Sequence, residues 1–263
     1  MTGPITVQEI TDYRDGVAAR TSNVNANKHL STIKKVFVKG MELKAVIEDL
    51  TAEIPFLNEK DHVRNQFIMP GTLDALIKAT GETRAKFYLP AIIFLGAEHG
   101  AAKQEILSLT WKKINFDFRD TGLITLFRTK NSRERTEFLM PRTREALLAW
   151  KNHLEWMRHR KKVKDVKTDH VFCRLDGTAI KNFNKAWWHV LNIVGLKNFH
   201  FHDLRHTFCS NLLLSGGTIK DAKDMIGHAD ISMTDRYSHI TSSHQHSVQK
   251  QLAEHYAPHS QQT

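Results

Sequence analysis

The chain has 263 residues, of which 41% are hydrophobic and 25% charged, a balance that supports a buried core and excludes wholesale disorder. A formal net charge of +10 favours a polyanionic partner, most often nucleic acid. Cys173 and Cys209 lie far apart without metal-ligand spacing, no apolar run reaches membrane-spanning length, and the N-terminus lacks a signal-peptide pattern, so a soluble cytoplasmic protein without disulfides is expected.

In chain order, residues 6–20 read as a helix, and residues 23–47 as a longer one behind the capping-type cluster TSN. On the second, Leu30, Ile33, Phe37 and Met41 recur at helical spacing, and Lys28, Lys35 and Lys39 fall roughly opposite. That lysine stripe is either a solvated face or a face laid against DNA phosphates. Pro55 and Pro70 bracket a polar stretch over residues 51–71 that reads as a linker. Helices are expected at 72–80, 83–98 and 103–111. Residues 122–128 and 135–140 then read as two strands of a hairpin, with TKNSR as the turn and Lys130 near its tip. Helices resume at 143–160, 180–194, 202–215, 218–226 and 232–240. The expected class is mainly α with a small antiparallel β-sheet, without internal repeats.

The stretch HDLRHTFCS begins at His202. His202 and His206 are four apart, as two zinc ligands on a helix would be, but Asp203 stands where such a site needs glutamate and Arg205 would set a cation beside the metal; no metal is expected. His202 and Arg205, three apart, can face one site, where a guanidinium clamps phosphate oxygens and an imidazole moves a proton. The bland alternative is a core helix with incidental charges. Further on, in MIGHADISMTDRYSHI, Gly227 ends a helix, His228 follows, and Tyr237 comes nine residues later. Such a tyrosine is either a packing residue or a nucleophile.

HDLRHTF followed by IGHADISMTDRYSHI resembles the tyrosine recombinases, also called phage integrases. GAAKQEILSLTW and RTKNSRE match earlier motifs of that family, and the likeness runs from about residue 6 to residue 240. The resemblance implies a tyrosine-recombinase-like catalytic domain over residues 66–245, a partial helical core-binding domain over 1–58 that matches only the later half of the family's, a linker at 59–65 and a C-terminal tail at 246–263. It implies that Tyr237 attacks a DNA phosphodiester and becomes joined to the 3′ phosphate. Arg205 would bind the non-bridging oxygens, His202 would help take the tyrosine's proton, His228 would hydrogen-bond the phosphate, and Lys130 would protonate the departing 5′ oxygen. A phenol with a pKa of about 10 needs such a base and positive field to attack near neutral pH. The family requires neither metal nor ATP, acts on double-stranded DNA as a homo-tetramer, and is often monomeric when free; neither a membrane nor a small-molecule substrate is implied.

One position departs from the family. Its first arginine lies in G-x-R-x-x-E, and with Gly100 and Glu105 aligned that position holds Ala102. Three accounts fit: a residue replaced to trap a complex, a natural degenerate member that binds DNA without cutting, or compensation by the neighbouring Lys103. The expected function is site-specific DNA recombination, by an integrase of a phage or other mobile element, with activity impaired if nothing replaces the arginine. The alternatives are a DNA-binding module and a topoisomerase-like enzyme.

Overall fold

The computed structural model describes residues 4–59, 66–128, 133–164, 166–226 and 249. The chain divides into two compact units, Met1–Arg64 and Asn65–Thr263.

In the first unit, helix α1 (Val7–Arg20) starts at a reciprocal cap: Glu9 N donates to Thr6 Oγ1 at 3.2 Å, and Thr6 N to the Glu9 carboxylate at 2.8 Å. Helix α2 (Asn23–Glu42) is capped by Ser22, whose hydroxyl accepts from Asn25 N. It ends five residues before the sequence suggests. Gly40 lets the chain fold back, with Ala45 N on the Gly40 carbonyl at 2.9 Å and Val46 packed where a β-carbon at Gly40 would sit. Ile10, Leu30 and Ile54 form a small core, flanked by Ile33 and Phe37. Met41, at the end of the expected apolar face, is exposed.

The expected linker is not one at its start. Asn27 exchanges two 2.8 Å bonds with the backbone of Leu57, Arg14 Nη1 donates to the Pro55 carbonyl at 2.7 Å, and Lys34 Nζ to the Thr51 carbonyl at 2.6 Å. Those bonds, with Ile54 buried, fasten residues 51–57 to both helices.

The second unit is mainly helical around a three-stranded antiparallel sheet. Its described helices are α3 (Pro70–Ala79), α4 (Leu89–Glu98), α5 (Lys103–Leu107), α6 (Pro141–Arg160), α7 (Asn184–Val194), α8 (Asp203–Leu214) and α9 (Ile219–Ile226). Prolines set three starts, because proline fits the first helical turn but not the interior. Pro90 in this way places the start of α4 at Leu89, six residues later than expected. Helix α5 stops early because residues 109–111 run beside 169–171 instead, with Val171 N on Leu109 O at 2.9 Å and Trp111 N on Asp169 O at 2.8 Å. Similarly, Ile180 N bonds Phe172 O at 2.8 Å, and α7 begins only at Asn184.

Strand β1 (Ile114–Asn115), which the sequence did not suggest, pairs with β2 (Leu123–Arg128), and β2 pairs with β3 (Arg133–Phe138) in the register Ile124↔Glu137 and Leu126↔Arg135. Helix α4 is apolar almost all round and packs against α6 and α8. Gly96 of α4 admits Leu204 of α8, since a β-carbon there would lie 3.0 Å from Leu204 Cδ1. Through this contact the core carries the first residues of α8 to the end of α4.

Candidate DNA-phosphate site

After α4 the chain reverses through Gly100, whose φ of +58° lies in the left-handed region. A β-carbon there would also meet Phe208 Cδ1 at 2.8 Å and Ile226 Cγ2 at 2.9 Å, so both conformation and space require glycine. Ala101 N closes the turn on Leu95 O, and Ala102, extended at φ −74° and ψ 153°, opens α5. Ala102 has no side-chain oxygen with which to cap that helix. Its own N–H is satisfied instead by the Glu105 carboxylate, 3.1 Å away.

Arg205 comes up against this turn from α8 and is buried, only 4% exposed. Nη1 donates to the Gly100 carbonyl at 2.8 Å and stands 3.8 Å from Glu105 Oε1; Nη2 donates to the Ile226 carbonyl at the end of α9. The other Glu105 oxygen receives Arg135 Nη1 at 3.2 Å. Arg135, on β3, also gives Nη2 to the His99 carbonyl at 2.9 Å and Nε to Glu137 Oε1 at 3.4 Å. That same Glu137 oxygen lies 3.4 Å from His99 Nδ1, while Met140 N donates to His99 Nε2 at 3.4 Å. A column of basic and acidic side chains in alternation thus runs Arg205, Glu105, Arg135, Glu137, His99, buried at Arg205, Glu105 and His99 and partly buried at Arg135 and Glu137. Buried charges are tolerated when paired and hydrogen-bonded in this way, and removal of one member leaves another uncompensated.

The structure brings Arg205 to the turn that bears Ala102. His202, at the head of α8, is exposed, and its ring meets that of His206 edge-on at 5.5 Å. Lys103 is directed elsewhere: Nζ donates to Asn184 Oδ1 at 2.6 Å and lies 4.9 Å from the centre of the Phe183 ring. Lys28, Lys35 and Lys39 are all exposed on α2, but Lys39 is paired with Glu42 at 2.7 Å, and Lys34 beside them is spent on Thr51 and the face of Phe56. Lys130, His228, Tyr237, the expected helix at 232–240 and the tail at 246–263 lie outside the described residues, apart from residue 249. Of the other tyrosines described, Tyr88 has its phenol pushed up by burial, whereas the exposed Tyr13 places its hydroxyl 2.8 Å from His29 Nδ1.

Sequence reasoning uses Glu105 only to align a motif and misses His99, Arg135 and Glu137. A signal is present. In RERTEF the alternate residues Arg135 and Glu137 share the face of Ile124 and Leu126, and charges at inward positions of a strand call for partners.

The sequence profile of the phage integrase family matches residues 66–244, more than half of the chain. The chain belongs to the phage integrase family. Among curated members of that family, tyrosine recombinase XerC of Staphylococcus aureus is 26% identical over 248 residues, spanning 89% of this chain and 78% of its own. The fold is that of solved tyrosine recombinases. XerH site-specific recombinase, bound to a palindromic difH substrate in a post-cleavage complex, superposes with a TM-score of 0.71 at 15% identity, over 89% of this chain and 69% of that one. The Tn1549 transposon integrase, in complex with circular-intermediate DNA, gives a TM-score of 0.64 at 15% identity, over 89% and 80%. Within the described residues no helix is long and apolar enough to cross a membrane.

Proposed function

We propose that the chain is a site-specific DNA recombinase that cuts and rejoins double-stranded DNA through a 3′-phosphotyrosine. The observation that carries the reading is the seating of Arg205: a buried guanidinium held at the glycine turn of the family motif, in a chain whose residues 66–244 match that family. In this reading the Tyr237 oxygen forms a bond to phosphorus as the bond to the 5′ oxygen breaks. His202 assists loss of the phenolic proton, Lys130 returns a proton to the departing 5′ oxygen, and Arg205 and His228 hold the non-bridging oxygens. The five-coordinate transition state gathers negative charge on those oxygens, which preorganised donors stabilise. The phosphotyrosine keeps the energy of the broken bond for rejoining. Integration or excision for a phage or other mobile element, by a tetramer assembled on two sites in the cytoplasm, completes the proposal.

A second reading has one observation in its favour. Ala102 removes a guanidinium, and Lys103 is turned to Asn184, which together favour a member that binds DNA without cutting it. The deciding experiment selects bound genomic fragments, then traps covalent protein–DNA adducts on supercoiled plasmids carrying the recovered site. Joined recombinants are expected. Specific binding without an adduct supports the binder, and relaxation without exchange indicates a topoisomerase-like enzyme; either refutes the recombinase.

A further inference from the structure

We infer that Arg135 is a positioning residue for Arg205, acting through Glu105. The inference rests on the proposed function for its meaning, since it concerns the pocket that reading assigns to phosphate.

Glu105 has two carboxylate oxygens, and each is committed. One faces Arg205 Nη1 at 3.8 Å; the other accepts from Ala102 N at 3.1 Å and from Arg135 Nη1 at 3.2 Å. Two bonds of that length on one oxygen hold the Arg135 guanidinium within about 6 Å of the Ala102 backbone. Arg135 therefore brings positive charge to the turn from β3 rather than from α5. All three of its guanidinium nitrogens are engaged by protein acceptors, namely Glu105, the His99 carbonyl and Glu137. These bonds tie Arg135 to the turn on one side and to its own strand on the other. What it fixes is decisive. Without Arg135, the Glu105 side chain, 3% exposed, would be left facing Arg205 at 3.8 Å. The carboxylate would then pull the Arg205 guanidinium toward itself and away from an incoming phosphate, as an uncompensated buried charge must find a partner. With Arg135 in place, the carboxylate is neutralised from the sheet side, and Arg205 keeps its charge for the phosphate. The fork geometry matters: three acceptors in different directions suit a planar guanidinium and not an ammonium.

The test uses the full chain with arginine side chains labelled with nitrogen-15, and follows the Nε–H signals of Arg135 and Arg205, assigned by Arg135→Lys and Arg205→Lys. Inorganic vanadate is the probe, since it mimics a five-coordinate phosphate. Arg135→Gln is expected to move and broaden the Arg205 signal and to weaken vanadate binding about tenfold. Arg135→Lys should recover part of the affinity, and Glu105→Gln combined with Arg135→Gln should lose less than the two separate losses together. A folding role alone is excluded by keeping each measurement at least 15 °C below the melting temperature of that variant, read by circular dichroism. An unmoved Arg205 signal with unchanged vanadate affinity in folded Arg135→Gln overturns the inference, as does full additivity. Failure of the proposed function is separate: it would appear as vanadate bound through Arg205 while no covalent DNA adduct forms on the selected site.

Discussion

Replacing Gly100 by alanine tests why the glycine turn stands where it does. A residue with a β-carbon held at φ +58° is destabilised by about 1–2 kcal/mol. Its β-carbon would also lie 2.8 Å from Phe208 Cδ1 and 2.9 Å from Ile226 Cγ2, both in a well-packed cluster, and displacing such neighbours costs about 1–3 kcal/mol more. The sum is about 2–5 kcal/mol, which lowers the melting temperature of a unit of this size by about 5–15 °C. Gly195 is the control. It ends α7 at φ +75° with nothing within 4 Å of a built β-carbon, so Gly195→Ala carries the conformational part alone. Thermal unfolding of both variants beside the parent, followed by circular dichroism, isolates the packing part as the difference. Equal losses at the two positions, or a Gly100→Ala loss below about 1 kcal/mol, would show that Phe208 and Ile226 yield freely and that the turn is not braced by α8 and α9.

Tyr237→Phe should abolish the phosphotyrosine adduct while leaving DNA binding intact, read by denaturing gel and by mass mapping of the adduct; an adduct on Tyr13, the tyrosine with His29 beside it, would sink the assignment. Ala102→Arg should raise single-turnover cleavage by about 10²-fold with a much smaller gain in affinity, because a fixed donor acts mainly on the transition state; unchanged cleavage with good binding would mean that the turn needs no arginine of its own. Charge reversal of Lys28 and Lys35 should weaken binding to every sequence and flatten the log–log salt slope by about 0.9 for each phosphate no longer neutralised, with less effect from Lys39, which Glu42 already holds; an unmoved slope makes the stripe a solvated face. At the head of α9, hydrogen bonds from the side chain and backbone of Thr218 hold the Asp221 carboxyl below its ordinary value of 3.8. Its contribution is therefore present in full above that value and lost as pH falls through the lower folded one, so Asp221→Asn should flatten the acid limb of stability below about pH 4, and an unaltered limb would refute it.

The parts of the fold that can be read in advance are those governed by local rules. Apolar spacing reveals most of α2, and the run HDLRHTFCS announces α8, because periodicity and motif each lie within one stretch. The element starts at Pro70 and Pro141 are legible to within two residues, whereas at Pro90 the expected helix begins six residues too early, ahead of the proline that fits only its first turn. The bonds of Asn27 to Leu57, separated by 30 residues, have no local signature, and so residues 51–57 pass for a linker. The same applies to the site. Arg205 stands out by its motif, whereas Arg135 meets Glu105 across 30 residues and the meeting depends on strand register. Lys103 next to Ala102 looks like a substitute in the sequence, but Asn184, 81 residues on, takes its ammonium.

Helix α4 has a consequence for synthesis of the chain. It is apolar on nearly every side, and one of the surfaces it requires is α8. Gly100 and Arg205 are 105 positions apart, and that stretch takes about 5–20 s to translate at ordinary elongation rates. For that interval the nascent chain holds a greasy cylinder with a bare flank, where Leu204 will later sit against Gly96. Any ribosome stalled before α8 releases a fragment with that flank uncovered, a substrate for chaperones and proteases rather than a half-working protein.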